Sequence, residues 1–335
     1  MTTRKQKAVG AVLAVFGVVT VVWLYYLSHQ ALTPGVPGAS TWTSLPPTIS
    51  PAPPVPSTVT HPLRRLLGVA EPGTGWGPYA TFTQETGTSP QIAELYLGWG
   101  QPFPIWSVDT FQADGALTLV NWDPDQTRFE TIASGTQDGY LTRVADAVAA
   151  YRDPVVVSFA HEFNGNWQPW GTQAESPQAF VAAWRHIHDL FGKVGANNVI
   201  WVWTPNVINP VPDVALAPYW PGDAYVTWVG LVGYWTGRLG EDSWPTLFGR
   251  TEQQIARFTN DNVLIVETGA QPGPSKATWV AALLAGALAD KRVVGVVYFD
   301  YGLAQGKRAD WTLADDPNAL AAWRTGAAPW VHAPP

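Results

Sequence analysis

Between residues 66 and 299 the chain returns at intervals to short runs, several of them apolar at every position rather than at alternate ones. They are Leu66–Ala70, Glu94–Gly98, Ala116–Asn121, Val155–Ala160, Val199–Thr204, Val226–Leu231, Val263–Glu267 and Val293–Phe299. A strand with no polar face is covered on both faces, which is the situation of a parallel strand packed under helices. The stretches between the runs follow a helical period. Over 138–151, Leu141, Val144, Val148 and Tyr151 fall on one stripe. Ser176 and Pro177 read as an N-cap and first helical position, and Phe180, Val181, Trp184, Ile187 and Phe191 then form a buried face. Over 276–289 the same role falls to Trp279, Val280, Leu283, Leu284 and Ala287. Eight strands alternating with helices predict an α/β fold, a single (β/α)8 TIM barrel, rather than an open doubly wound sheet. No Gly-x-Gly-x-x-Gly or phosphate-binding loop follows any run, so a nucleotide-binding fold is not expected.

The barrel needs only residues 61–335, about the length usual for the fold. Ahead of it, residues 8–27 are apolar apart from Thr20, Tyr25 and Tyr26. Twenty such residues make a helix long enough to cross a bilayer. Arg4, Lys5 and Lys7 precede them, and the next Lys or Arg is Arg64. That asymmetry puts residues 1–7 in the cytoplasm and the rest outside. A cleaved signal peptide is the rival reading, but its apolar core is usually shorter; the expectation is an uncleaved signal anchor. Residues 28–60 follow as a Pro-rich linker, with eight prolines between 33 and 60, a composition that favours extended, disordered chain.

With no cysteine, disulfides, thiol catalysis and Cys-ligated zinc are excluded. A net charge of −7 argues against nucleic acid as partner. The chain carries 19 tryptophans. Their flat apolar faces suit both a core and a site that stacks on sugar rings.

Catalytic groups of such barrels sit at the carboxyl ends of strands. The fourth run ends in His161-Glu162 and the seventh in Glu267-Thr268-Gly269. Strands four and seven are three steps apart around the ring, so their ends can face one another across its mouth. Two carboxylates so placed are what retaining glycoside hydrolysis needs, at a separation of about 5–5.5 Å. The one acting as acid must be held protonated, and Phe163 and Trp167 could supply the desolvation. A zinc reading of His161-Glu162 fails because position 165 is Gly. A serine hydrolase fails for want of a Gly-x-Ser-x-Gly elbow.

Five segments carry a resemblance to glycoside hydrolase family 26. They are His161–Gly171 (HEFNGNWQPWG), Asn198–Asn206 (NVIWVWTPN), Tyr219–Asp223 (YWPGD), Trp228–Tyr234 (WVGLVGY) and Val266–Gly269 (VETG). The resemblance implies a retaining endo-β-glycanase acting on β-1,4-mannan, glucomannan or mixed-linkage β-glucan, with no metal or organic cofactor. It implies Glu162 as acid/base and Glu267 as nucleophile. His161 shapes the site beside the acid, and Asn164 belongs to the same motif. Trp167 is a stacking platform, Tyr234 a partner of the nucleophile, and Trp311, in Asp310-Trp311, a ring under the cleaved sugar. Trp99 or Trp122 would extend the stacking surface. Trp122-Asp123-Pro124 looks closer to the Trp-Glu-Pro of the family's mixed-linkage glucanases than to the Trp-His of its mannanases. Ser158 stands where the family usually has Arg. The expected partners are a polysaccharide and, through the N-terminal helix, a membrane; the catalytic domain is expected to be monomeric. Two other readings stay open: a catalytically silent polysaccharide-binding protein on a barrel scaffold, and a hydrolase processing the cell's own exopolysaccharide.

Overall fold

The computed structural model describes residues 50–237, 243–305, 307 and 309–332. Eight parallel strands close into a barrel in chain order. They are β1 (Leu66–Ala70), β2 (Ile92–Gly98), β3 (Leu117–Asp123), β4 (Val155–Phe159), β5 (Val199–Trp203), β6 (Trp228–Trp235), β7 (Val263–Ala270) and β8 (Val293–Phe299). β1 pairs with β8 from Leu66↔Gly295 to Ala70↔Phe299, which shuts the ring. Each expected run holds a strand. The largest shift is in β6, which begins at Trp228 rather than Val226 and continues to Trp235.

The helices used below are α1 (Gly77–Thr86), α2 (Ile105–Ala113), α3 (Phe129–Ala133), α4 (Asp138–Tyr151), α5 (Pro177–Val194), α6 (Arg250–Ile255), α7 (Lys276–Ala289) and α8 (Pro317–His332). α5 starts as its sequence requires: Ser176 Oγ accepts from the Ala179 N–H at 3.1 Å, with Pro177 in the first turn. It ends at Gly195, whose φ of 91° lies in the left-handed region glycine tolerates. Its expected face is buried at Phe180, Trp184, Ile187 and Phe191. Between β5 and β6 the chain makes two short 3₁₀ turns, Ala217–Tyr219 and Asp223–Tyr225, instead of an α-helix.

The apolar residues divide into two layers. Alternate strand residues, among them Ile92, Leu119, Val156, Ile200, Val202, Leu264 and Val297, fill the barrel interior. Their neighbours along the strands pack outward against the helices. Side chains of a strand alternate in direction, so this division also decides which polar residues can reach the barrel mouth.

The floor of the barrel is closed by part of the expected linker. Ala52 is buried, its N–H donates to the Gly195 carbonyl at 2.8 Å, and its own carbonyl accepts from Asn197 Nδ2. Val55 and Val59 pack against the interior layer. The fully buried Trp228 indole donates to the Thr60 carbonyl at 2.8 Å. Prolines 51, 53, 54 and 56 hold residues 50–56 extended, Ser57–Thr60 add one helical turn, and the barrel end supplies apolar surface to cover. Residues 50–60 therefore belong to the folded unit. The rest of the linker, 28–49, and the expected span 8–27 lie outside the described residues. Among the described residues no helix is long and apolar enough to cross a membrane.

A chain beginning at residue 61 is expected to be less stable than one beginning at residue 50. The deficit should be about 2–4 kcal/mol from lost apolar burial and the unpaired Trp228 N–H. Denaturant midpoints of the two check this.

Candidate active site

The inward positions at the strand ends gather the polar residues. β2 and β3 pair with Glu94 opposite Leu119, Tyr96 opposite Asn121, and Gly98 opposite Asp123. Glu94, Tyr96, Asn121 and Asp123 thus share the alternation of Ile92 and Leu119 and point into the barrel. From β4, Ser158 points in, and its Oγ donates to Thr204 Oγ1 at 2.7 Å. No guanidinium occupies that position, and the small hydroxyl closes the gap between β4 and the end of β5.

Glu267 reaches the interior through an irregularity. β7 keeps register with β6 up to Leu231↔Ile265, then resumes at Val232↔Glu267. Val266 is an extra residue, and its side chain also lies in the interior layer. In an unbroken strand one of these two neighbours would face the helices. The bulge turns both inward, as bulges beside active sites commonly do.

Once inside, Glu267 is fully enclosed. Its Oε1 accepts from Tyr96 OH at 2.5 Å and from Asn121 Nδ2 at 3.1 Å, and its Oε2 accepts from Tyr234 OH at 2.6 Å. The expected role of Tyr234 as partner of Glu267 has a direct geometric counterpart. Tyr96 and Asn121 were not anticipated. Their signal was a polar side chain in the last turn of an otherwise apolar strand.

Opposite lies the loop after β4. Ala160 and Glu162 both have positive φ, 50° and 56°. Non-glycine residues enter this region at a cost of about 1–2 kcal/mol, and such strain concentrates at functional sites. The Glu162 N–H bonds the Thr204 carbonyl at 2.8 Å, which anchors the turn on β5. The Glu162 side chain accepts from Asn206 Nδ2 at 2.5 Å on Oε1, and from Trp167 Nε1 at 2.8 Å and Gln168 Nε2 at 3.0 Å on Oε2. A carboxylate offers about four acceptor positions. The fourth, on Oε1, is where Glu162 can carry a proton. Burial raises its affinity for one; the His161 charge works against this and the Glu267 charge adds to it.

Asn164 is fully buried and exchanges two hydrogen bonds with the Asn206 backbone, at 2.8 and 2.9 Å. It sets Asn206 against Glu162 and has no face left for a sugar. Gly165 is required for a different reason: a Cβ there would lie 2.6 Å from the Trp167 ring. His161 is buried, and its Nδ1 is 2.9 Å from Asp123 Oδ1. Burial alone would pull the imidazole down, but Asp123 outweighs it and carries His161 up to about 9. The proton of the pair sits on His161, which makes it a fixed cation between the two glutamates.

The aromatic residues separate clearly. Trp167, Tyr234 and Trp311 are half-buried at the mouth, and the Trp311 ring lies 4.8 Å from that of Tyr234. Trp122 does not belong with them. It is 1% exposed, packed among Trp99, Tyr140, Phe159 and Phe191, with its indole donating to Tyr140 OH at 3.1 Å. Asn121 and Asp123 point inward, so Trp122 between them must point outward, and it cannot stack on a substrate. Trp99 lies against Trp122 in the same outer layer. Trp201, Trp203 and Trp228 are likewise core. Trp106, in the first turn of α2, is 54% exposed.

An NMR titration of the histidine rings should find His161 protonated through neutral pH and titrating near 9. Asp123→Asn is expected to lower that value. The raised pKa implies stability fully present below about 6.5 and lost as pH climbs through about 9, a loss that Asp123→Asn should largely remove.

Comparison with known proteins bears on the same strands. Residues 118–260 match the family model for glycosyl hydrolase family 26. Endoglucanase H of Acetivibrio thermocellus is 28% identical over 257 residues, which covers 73% of this chain and 28% of that protein. A β-1,3-xylanase, TXYA, of a Vibrio species is 28% identical over 103 residues, covering 30% of this chain and 21% of that one. The chain thus spans under a third of the length of either. Among solved structures, a family 26 β-mannanase of Bacteroides ovatus superposes with a TM-score of 0.60 over 81% of this chain and 90% of its own, at 16% identity. That likeness speaks to the fold. Glu267 lies beyond the matched stretch, whereas Asn121, Glu162, Asn206 and Tyr234 lie within it. Over residues 118–260, the chain is similar to glycosyl hydrolase family 26.

Proposed function

We propose that the barrel is a retaining endo-β-glycanase that hydrolyses β-linked polysaccharide with Glu267 as nucleophile and Glu162 as acid/base. The carrying observation is the pair of buried glutamates at the ends of β4 and β7, each held by three donors. In the first step Glu267 attacks the anomeric carbon, the glycosidic C–O bond breaks, and Glu162 gives its proton to the departing oxygen. In the second, Glu162 takes a proton from water, whose oxygen replaces Glu267 at the same carbon. Burial favours the protonated Glu162 the first step needs. Donors on both oxygens of each carboxylate fix its plane, so little reorganisation remains for the reaction. Trp167 and Trp311 would flank the scissile bond.

Mannan, glucomannan and mixed-linkage β-glucan are the leading substrates. Asp123 occupies the third-strand position and is engaged by His161, which supports the glucan side of that choice. The named activities of the relatives, an endoglucanase, a β-1,3-xylanase and a mannan endo-1,4-β-mannosidase of Bifidobacterium adolescentis, cover the same substrate range. Both glutamates are present and supported, which favours hydrolysis over a silent binding role. The proposal includes residues 8–27 as an anchor that holds a monomeric barrel on the outer face of a membrane.

Reducing-sugar release from mannan, glucomannan, mixed-linkage β-glucan and β-1,3-xylan by residues 50–335 is the direct test. One substrate should be cut by the unaltered chain and left intact by Glu267→Ala. A folded chain that binds one of them and cuts none would instead be a binding protein. Glu162→Ala should lose on the order of 10²–10⁴-fold on polysaccharide and much less on aryl glycosides with good leaving groups. Equal losses on both would remove Glu162 as the acid.

A further inference from the structure

Glu94 is a third carboxyl group beneath the two that the mechanism uses. It lies at an inward position of β2, has no exposed surface, and belongs to no ion pair among the described residues. Asn121 Nδ2 donates both to Glu94 Oε1 and to Glu267 Oε1. An amide nitrogen has two hydrogens, so one goes to each carboxyl group, and the two groups lie within two hydrogen bonds of each other. Glu94 Oε2 has no donor against it. The other titratable groups facing Glu94 carry no positive charge: Tyr96 from its own strand, Tyr79 from α1, whose hydroxyl meets the Glu94 carbonyl at 2.7 Å, and Tyr301 after β8. The cations nearby, His161 and Lys307, act on Glu267 instead. Position 158, also inward on β4, is a serine turned toward Thr204 and supplies no cation.

Two adjoining carboxylates without a cation between them cannot both be ionised in a buried site. We propose that Glu94 is a positioning residue that holds one proton in common with Glu267, so that the pair carries a single negative charge and the nucleophile is oriented by a neutral acid. Burial, and after it the Glu267 charge, keeps the Glu94 carboxyl far above the usual carboxylate range. A neutral carboxyl can donate where an ionised one can only accept. Glu94 then supplies a donor to the nucleophile cluster, and loss of its proton at alkaline pH would set two like charges side by side.

The inference rests on Glu267 as nucleophile only for its kinetic consequence; the shared proton can be read without turnover. Infrared difference spectra at neutral pH should show a protonated carboxyl band in the unaltered chain that Glu94→Gln removes. Glu267→Gln should lower the pH at which that band disappears or remove it, because the charge that sustains it is gone. A band unchanged in Glu94→Gln would overturn the proposal, whatever the activity. The kinetic arm uses a dinitrophenyl β-glycoside, whose leaving group needs no proton from Glu162, and reads the burst of dinitrophenol. Glu94→Gln keeps a donor and should stay within about threefold of the unaltered rate, with its alkaline decline abolished. Glu94→Ala should fall by roughly 10²-fold in the burst rate with little change in KM. Equal losses in Gln and Ala variants, with the alkaline decline intact, would leave Glu94 a packing residue and overturn the positioning role. The band without any turnover would keep the shared proton and refute the glycanase reading instead.

Discussion

A parallel strand covered on both faces can offer a side chain to the barrel mouth only at every second residue, and the whole site depends on how β7 meets that condition. Leu264 and Val266 both take inward positions in the apolar interior, so strict alternation would send Glu267 outward into the helix layer. The extra residue at Val266 restores an inward direction to Glu267 and sets it among Tyr96, Asn121 and Tyr234. Those three are themselves inward residues of β2, β3 and β6. The surroundings of Glu267 are therefore a product of strand register. Glu162 instead sits on a strained turn after β4, with positive φ at Ala160 and Glu162, and its carboxyl is held by Asn206, Trp167 and Gln168.

The electrostatic character of the site follows from what fills it. The glutamates are enclosed, and the position of one potential guanidinium is taken by Ser158. Charge balance falls to His161, kept cationic by Asp123, and to Lys307, which lies over the Phe299 and Tyr301 rings. Burial pulls the Lys307 amine down to about 8 against the opposing influence of Glu267. Neutral donors do the rest: three hydroxyl or amide groups on Glu267, and two amides and an indole on Glu162. Such donors fix geometry without neutralising the carboxylates, which under the proposed mechanism would leave Glu267 nucleophilic and let Glu162 hold a proton.

Much of this was legible in the sequence because apolar runs and helical stripes report burial directly. All eight strands and the faces of α4, α5 and α7 follow from that signal, as do the two glutamates at strand ends. What escaped reading was direction. Trp122 and Asp123 are adjacent on β3, so both could not face the substrate, yet tryptophan's suitability for sugar stacking outweighed the period of two. Glu94, Tyr96 and Asn121 stood in plain view as polar residues inside apolar runs, but their convergence depends on the pairing register of three strands. The floor segment was hidden for another reason. Its prolines describe an extended backbone equally well whether it is solvated or, as here, laid against the open end of a barrel.

The most direct measurement is mass spectrometry of the chain after incubation with a 2-deoxy-2-fluoro β-glycoside bearing a good leaving group. Fluorine at that carbon slows release of the covalent intermediate more than its formation, so the attacking residue becomes labelled. The account expects a single sugar adduct on the peptide containing Glu267, absent from Glu267→Ala. A label on another carboxylate, or inverted product from a polysaccharide the chain does cut, would contradict it.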